Sequence, residues 1–189
     1  MTGVQTCALP IWLPTCAFVS NEVRELLRAA GVELLAPAEA GRAEVVLVAH
    51  CDEVDLGALE AAAYAVRAGA RLLTANYAPA YAGADGPVLS RGAMLTAAIA
   101  RVAERRPIVV GKPSHAAVRE FASRLGVAAE RAVVVGDDLG MDVGLGRLGG
   151  STTVLVRTGI SSEIDLGRVP ADRRPDHDLE AVGGLLELS

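Results

Sequence analysis

Residues Ala132–Leu145 read A-V-V-V-G-D-D-L-G-M-D-V-G-L, and how this stretch folds decides the class of the molecule. Four apolar residues, Ala132 to Val135, are a short buried-strand run, and Gly136 lets the backbone turn where Asp137 and Asp138 follow. Two carboxylates are thereby expected at the carboxyl end of a strand, the edge at which open parallel α/β sheets bind ligands. Asp142 lies further on, within the first turns of a helix expected to begin near Leu139. Acids converging there would suit a hard cation such as Mg²⁺. An aspartate at a helix start is equally able to act as an N-cap with no metal. These residues alone leave both readings open.

Upstream of this stretch, Pro107 to Gly111 is another strand, and Lys112-Pro113-Ser114 comes directly after it. Ser114 is placed to cap a helix to about Leu125, where Gly126 stops it. Successive parallel strands joined by a right-handed helical crossover would bring Lys112 and Asp137 to the same sheet edge. An ammonium beside a metal-binding acid cluster is what phosphate chemistry needs, since both neutralise charge on phosphoryl oxygens.

Further out, the chain repeats strand and helix with short links. Ala17 to Ser20 reads as a strand, Ser20 or Asn21 caps the next helix, and Gly31 ends it. Val32–Ala36 and Glu44–Ala49 read as strands, Asp55 caps a helix to Ala68 with Gly69 as its stop, and Arg71–Ala75 is the next strand. Between Asn76 and Ser90 turn formers dominate, which predicts a functional loop or a hinge. A helix over 92–104 comes next. Downstream, Thr152–Val156 is a strand, 157–175 is polar and turn-rich, and a weak helix closes the chain. This is an α/β chain.

Composition narrows the partners. Hydrophobic residues make up 51% of the 189 residues and aromatics only 3%, so the core is built from Ala, Val and Leu, as suits helices packed on a parallel sheet. A net charge of -5 without a basic block argues against nucleic acid or an anionic membrane as the main partner, and no apolar run reaches spanning length. A small molecule is the expected ligand. Cys7, Cys16 and Cys51, an odd number without C-x-x-C spacing, indicate neither disulfides nor zinc and point to the reducing cytoplasm. The opening M-T-G-V-Q-T-C-A-L-P-I-W continues into no later periodicity and resembles a translated sequencing adapter, so residues 1–15 are set aside as a non-native leader with the true protein beginning upstream.

The motifs G-K-P-S at Gly111–Ser114 and G-D-D-L-G-M-D at Gly136–Asp142 resemble the third and fourth motifs of the haloacid dehalogenase (HAD) superfamily of phosphatases. Their spacing and the T-T-V-L-V-R-T-G at Thr152–Gly159 look most like subclass IIA, the NagD and nitrophenylphosphatase group. The resemblance runs from about Cys16 to the end. It implies a Rossmann-like three-layer core with an α/β cap inserted between the second and third motifs. Residues 16–90 would then be the cap, and 91–189 the C-terminal half of the core.

By the same resemblance Lys112 holds nucleophile and phosphate, Asp137 ligates Mg²⁺, and Asp142 supports it. The cap segment L-L-T-A-N-Y-A-P at Leu72–Pro79 contributes Asn76 and Tyr77 to the substrate's leaving group. A small phosphorylated metabolite is the implied substrate, Mg²⁺ the cofactor, and a homodimer through the cap the implied assembly.

The chain departs from the pattern in three places. Gly140 and Met141 stand where the family often has an acid and a Thr, and Tyr77 and Ala78 come after Asn76 where the cap loop commonly reads T-N-P-D. The third departure is the nucleophile, the first Asp of a strand-end D-x-D. Asp176-His177-Asp178 has the letters but is preceded by Arg173-Arg174-Pro175 and reads as a turn before the final helix. Asp52 and Asp55 have the wrong spacing, His50 and Cys51 are read as structural because neighbours on a strand face opposite ways, and His115 is read as solvated. Asp138 is read as a solvated neighbour of Asp137.

The expectation is a piece of a Mg²⁺-dependent phosphatase that works through an aspartyl-phosphate, inactive as written because the nucleophile is missing. The run Ala132–Val135 is then expected to show an open hydrophobic edge. The alternative is a binding or regulatory module that holds a phosphorylated ligand without hydrolysis. A receiver-like signalling domain is disfavoured because here the lysine precedes the acids.

Overall fold

A computed structural model describes residues 13–187. They fall into two units, 13–77 with 91–108, and 78–90 with 109–187. The division is not a single cut at residue 90, because the helix over 91–103 belongs with the first unit. Of the leader expected over 1–15, residues 1–12 lie outside the described residues, and the remaining three do not stand apart from the fold. Thr15 is buried and pairs with Val45.

The first unit is built on a parallel sheet of β1 (Thr15–Phe18), β2 (Val45–Val48), β3 (Arg71–Thr74) and the short β6 (Ile108–Val109), in the order β1-β2-β3-β6. The middle strand β2 reads V-V-L-V and is buried on both faces, as a parallel strand covered by helices must be. Each fully buried Val or Leu is worth about 1.5–3 kcal/mol. The helices are α1 (Asn21–Ala29), α2 (Leu56–Ala68) and α3 (Arg91–Ala103). Asp55 caps α2 by accepting from the Ala58 amide at 2.6 Å, and Gly69 ends it at φ 127°, a conformation that favours glycine. Phe18, Val46, Val48, Ala62, Val66, Leu72 and Ile99 share one core cluster.

Residues 32–36 do not form the expected strand. Leu34 makes an isolated bridge to Thr15, and a 3₁₀ turn over Pro37–Arg42 comes next. Pro37 has no amide proton, so the pairing cannot extend into it.

The second unit contains a hairpin, β4 (Ala80–Gly83) and β5 (Gly86–Leu89), in the stretch read from sequence as a loop or hinge. The overlooked signal is Asp85-Gly86, with Gly86 at φ 117°. After α4 (His115–Leu125), capped by Ser114 and stopped by left-handed Gly126, comes a parallel sheet in the order β7-β8-β9. Its strands are β7 (Val133–Gly136), β8 (Thr152–Val156) and β9 (His177–Leu179), with α5 (Gly144–Gly149) between the first two.

Two expectations fail in this unit. Lys112 and Asp137 do not end neighbouring strands of one sheet, because β6 extends the first sheet beyond β3 and β7 begins another. Asp176-His177-Asp178 is not a turn before a helix; it leads into and forms β9. The Asp176 carboxylate accepts from the Thr153 amide and hydroxyl, both at 2.8 Å, and pairs with Arg147 at 2.8 Å, which pins the segment beside β8. The weak final helix is a 3₁₀ turn over Val182–Glu187, consistent with the low helix propensity of Gly183-Gly184. Among the described residues no helix is long and apolar enough to cross a membrane.

Candidate functional site

The end of β7 is shaped around a carboxylate. A Cβ on Gly136 would collide with the Asp142 side chain, so this glycine makes room for an acid and is not there for a special backbone angle. Asp142 lies in a single π-helical turn, Leu139–Val143, which leads into α5; such turns are frequent at functional sites. Its Oδ2 accepts from the Asp138 amide at 3.2 Å, and its Oδ1 accepts from Lys112 Nζ at 2.6 Å. The acid is the buried partner, with its side chain 10% exposed against 51% for the lysine. The backbone beside Lys112 is pinned by Ser114, whose Oγ donates to the Val110 carbonyl and caps α4 through the Ala117 amide, each at 3.1 Å.

The two adjacent aspartates divide the roles that the sequence left open. Asp138 is the cap: its Oδ1 accepts from the Gly140 and Met141 amides at 2.8 and 3.0 Å. It is therefore engaged in the turn and is not the solvated neighbour expected. Asp137 is half-buried and caps nothing. Its Oδ2 accepts from the Ile160 amide at 3.0 Å, its backbone carbonyl accepts from the Ser161 amide at 3.1 Å, and its Oδ1 carries no hydrogen bond among the described residues.

The turn after β8 was missed as part of the site. A Cβ on Gly159 would collide with the Asp137 carboxylate, and Ser161 Oγ accepts from the Leu139 amide at 3.0 Å at the head of the π-helical turn. Gly159 within T-G-I-S-S was the available signal, a glycine required by close approach.

Of the residues expected to act, the fold pairs Lys112 with Asp142, and Asp137 lies in the same second unit. Asn76 and Tyr77 belong to the first. There a hydroxyl relay runs from Thr96 to Thr74 at 3.0 Å and from Thr74 to the Asn76 carbonyl at 2.6 Å, fixing the backbone before the exposed Tyr77. His50 is exposed, with its Nε2 3.4 Å from Asp52 Oδ1, and Cys51 is a buried free thiol. His115 is exposed at the start of α4.

Among the described residues no three His, Cys, Asp or Glu side chains gather to form a complete metal cage. The available donors are instead Asp137 Oδ1, without a hydrogen bond among the described residues, and the Asp142 carboxylate, already tied to an ammonium. Mg²⁺ is commonly bound through one or two carboxylates, with water and substrate phosphate completing its shell, so hard oxygen donors of this number fit it. The adjacent Lys112 adds a positive charge for an anion.

A family model described as HAD-hydrolase-like matches residues 109–185, which span Lys112, Asp137 and Asp142. Mouse chronophin is 32% identical over 171 residues, covering 87% of this chain and 59% of that protein. The ribonucleotide monophosphatase NagD of Escherichia coli K12 is 34% identical over 127 residues, covering 67% of this chain and 49% of its own. The p-nitrophenyl phosphatase structure from Archaeoglobus fulgidus superposes with a TM-score of 0.79 at 28% identity, covering 94% of this chain and 67% of that one. This chain belongs to the haloacid dehalogenase superfamily. Within it the chain is NagD-like, of subclass IIA, with the α/β Rossmann-like architecture of that group. It spans about half to three-fifths of the length of these curated relatives. For a HAD chain, the pairing of Lys112 with Asp142 joins the third motif to the fourth in space.

Proposed function

We propose that this chain carries the metal- and phosphate-binding side of a Mg²⁺-dependent phosphatase acting on small-molecule phosphate monoesters. The observation that carries the proposal is Lys112 Nζ at 2.6 Å from Asp142 Oδ1, in the turn that follows Asp137, whose own Oδ1 carries no hydrogen bond among the described residues. Relatives named as phosphatases of ribonucleotides, dihydroxyacetone phosphate and p-nitrophenyl phosphate support the reaction class. Asp137 would hold Mg²⁺ with Asp142 in support, and the bound ion would supply positive charge to phosphate oxygens. Lys112 orients the same phosphate from its side, and Asp142 keeps the ammonium in place. Asn76 and Tyr77 would meet the leaving group.

In the whole protein the reaction would run through an aspartyl-phosphate, by the family's mechanism. The 189 residues hold no strand-end D-x-D followed by Gly-Thr, and both acids of Asp176-His177-Asp178 are spent in ion pairs with Arg147 and Arg157. We therefore expect this chain to bind without turning over, which is also how a non-catalytic phosphate-binding module would behave. Assay of p-nitrophenyl phosphate hydrolysis tests this. No turnover above a Lys112→Ala control is expected, and Mg²⁺-dependent turnover by the 189-residue chain would overturn it.

We assign the homodimer to the α2–α3 face of the first unit. A groove of about 380 Å³ there is lined by Leu56, Tyr64 and Val102, all exposed, with Glu60 and Arg67 flanking Tyr64 along α2. A two-fold axis near Tyr64 would set Glu60 of each copy against Arg67 of the other. Tyr64→Glu is expected to halve the mass by sedimentation, and a monomeric parent chain would refute the assignment. The two described cysteines, Cys16 and Cys51, are buried free thiols, and we place the protein in the cytoplasm.

A further inference from the structure

At the end of β8 the guanidinium of Arg157 faces two ways. Toward β9 it makes a two-point ion pair with Asp178, Nε to Oδ1 and Nη2 to Oδ2, each at 2.7 Å. Toward the turn after β8, Nη1 donates to the carbonyls of Ser161, Ser162 and Ile164 at 3.2, 3.2 and 2.8 Å. The Arg157 side chain is only 16% exposed. The same turn presents its amides to the site, Ile160 to Asp137 Oδ2 and Ser161 to the Asp137 carbonyl, while Ser161 Oγ takes the Leu139 amide.

We infer that the Arg157–Asp178 pair is a positioning device for Asp137, gathering the carbonyls of residues 161–164 so that the Ile160 amide stays on Oδ2 and Oδ1 remains the oxygen offered to a divalent cation. The inference rests on Asp137 being the metal-holding acid and goes beyond it by naming what orients that acid. Nothing in the T-T-V-L-V-R-T-G run marks Arg157 for this role, because its partners lie at opposite ends of the crossover that brings β9 parallel to β8.

The chemistry demands arginine. Its planar fork presents five donors in fixed directions, enough for a bidentate carboxylate and a cluster of carbonyls at once, whereas a lysine ammonium is a single point charge. Asp178 in turn fixes the plane of the guanidinium. Without it the largely buried cation would be free to rotate off the turn, and the Ile160 amide would lose its backing. A carboxylate with one oxygen fixed loses less orientational freedom when it takes a metal, which is why partners at one remove from an ion commonly alter affinity about 10–100-fold.

Asp176, two residues earlier on the same segment, supplies the contrast. It binds Thr153 and Arg147 and has no bond to the 159–164 turn, so it steadies the sheet without touching Asp137.

The test is titration of the 189-residue chain with Mn²⁺, as a paramagnetic stand-in for Mg²⁺, reading free ion by electron paramagnetic resonance and Ile160 amide exchange by NMR. Arg157→Lys, Asp178→Asn, Asp176→Asn and Asp137→Asn are compared. Asp137→Asn should abolish saturable binding. Arg157→Lys and Asp178→Asn should each weaken it about tenfold or more and speed exchange at Ile160. Asp176→Asn should lower the melting temperature and leave Mn²⁺ affinity unchanged. Should Arg157→Lys fail to fold, Asp178→Asn decides alone. Wild-type affinity in Arg157→Lys and Asp178→Asn, with binding still lost in Asp137→Asn, would overturn the inference and leave the metal reading standing. So would an equal loss in Asp176→Asn, which would mark the effect as general destabilisation. No saturable binding by the parent chain, or full binding by Asp137→Asn, would overturn the metal reading itself and the inference with it.

Discussion

The two parallel sheets of this molecule are made from similar apolar runs and put to different use. In the first unit β2 is closed on both faces, with Val45, Val46 and Val48 fully buried. In the second, β8 reaches that state between its neighbours, but on β7 Val133 is 57% and Val135 37% exposed. A strand buried on both sides contributes stability along its whole length. A strand that leaves valines in the open and ends in Gly136-Asp137-Asp138 matters for what its end carries. The difference teaches that apolar content alone does not separate a core strand from one that presents a site.

Breaking the first unit should cost most. Leu73 on β3 is fully buried, and Leu73→Ala is expected to lose about 2–5 kcal/mol in urea denaturation. A loss under about 1 kcal/mol would mean that the first sheet is not the stability centre.

In the second unit the largest effect should come from Lys112→Ala, which leaves the buried Asp142 carboxylate with only the Asp138 amide. Because Lys112 is half-exposed, its removal should cost about 1–2 kcal/mol, between the values for surface and buried pairs. Thermal melts reading Lys112→Ala as neutral would show that the pair is a crossing of side chains without energetic consequence.

Asp176→Asn should act less and in a pH-dependent way. Burial raises the Asp176 carboxyl, but bonds from Thr153 and attraction from Arg147 outweigh it and hold the group below its ordinary range. A depressed folded-state value means that its contribution is present above the unfolded pKa, about 3.9, and is lost as pH falls through the folded one. Since its side chain is 35% exposed, the contribution should stay under about 1 kcal/mol. Melting temperature against pH should therefore fall below about pH 4 in the parent chain and flatten there in Asp176→Asn; parallel curves would contradict the assignment.

The smallest effect should be Val133→Thr on β7, within about 0.5 kcal/mol, against a clear loss for Val154→Thr on β8. Equal losses would erase the contrast between the two strands.

Much of this was legible in the chain because local chemistry agrees with the fold. Asp55 and Ser114 cap where their spacing places them, Gly69 and Gly126 stop their helices, and Lys112 finds the acidic turn although the strand arrangement inferred for it was wrong. What escaped depends on contacts distant in sequence. The valine-rich end of β6 could have joined either sheet, and only its pairing beyond β3 settles which. Asp176, His177 and Asp178 lead into and form β9, polar letters that mean strand only because Thr153 and Arg157 lie opposite. Gly136 and Gly159 look like turn glycines in the sequence, yet each stands where a carboxylate from elsewhere needs the space. Pro37 ended a strand that its preceding residues invited.

The most direct measurement is calorimetric titration of inorganic phosphate into the 189-residue chain with and without Mg²⁺, for the parent and for Lys112→Ala. A phosphate site made by Lys112 with a cation on Asp137 predicts saturable binding that requires Mg²⁺ and weakens about tenfold or more in the variant, the usual scale for losing one bond to a charged group. Phosphate binding that ignores both Mg²⁺ and Lys112, or none at all, would contradict it.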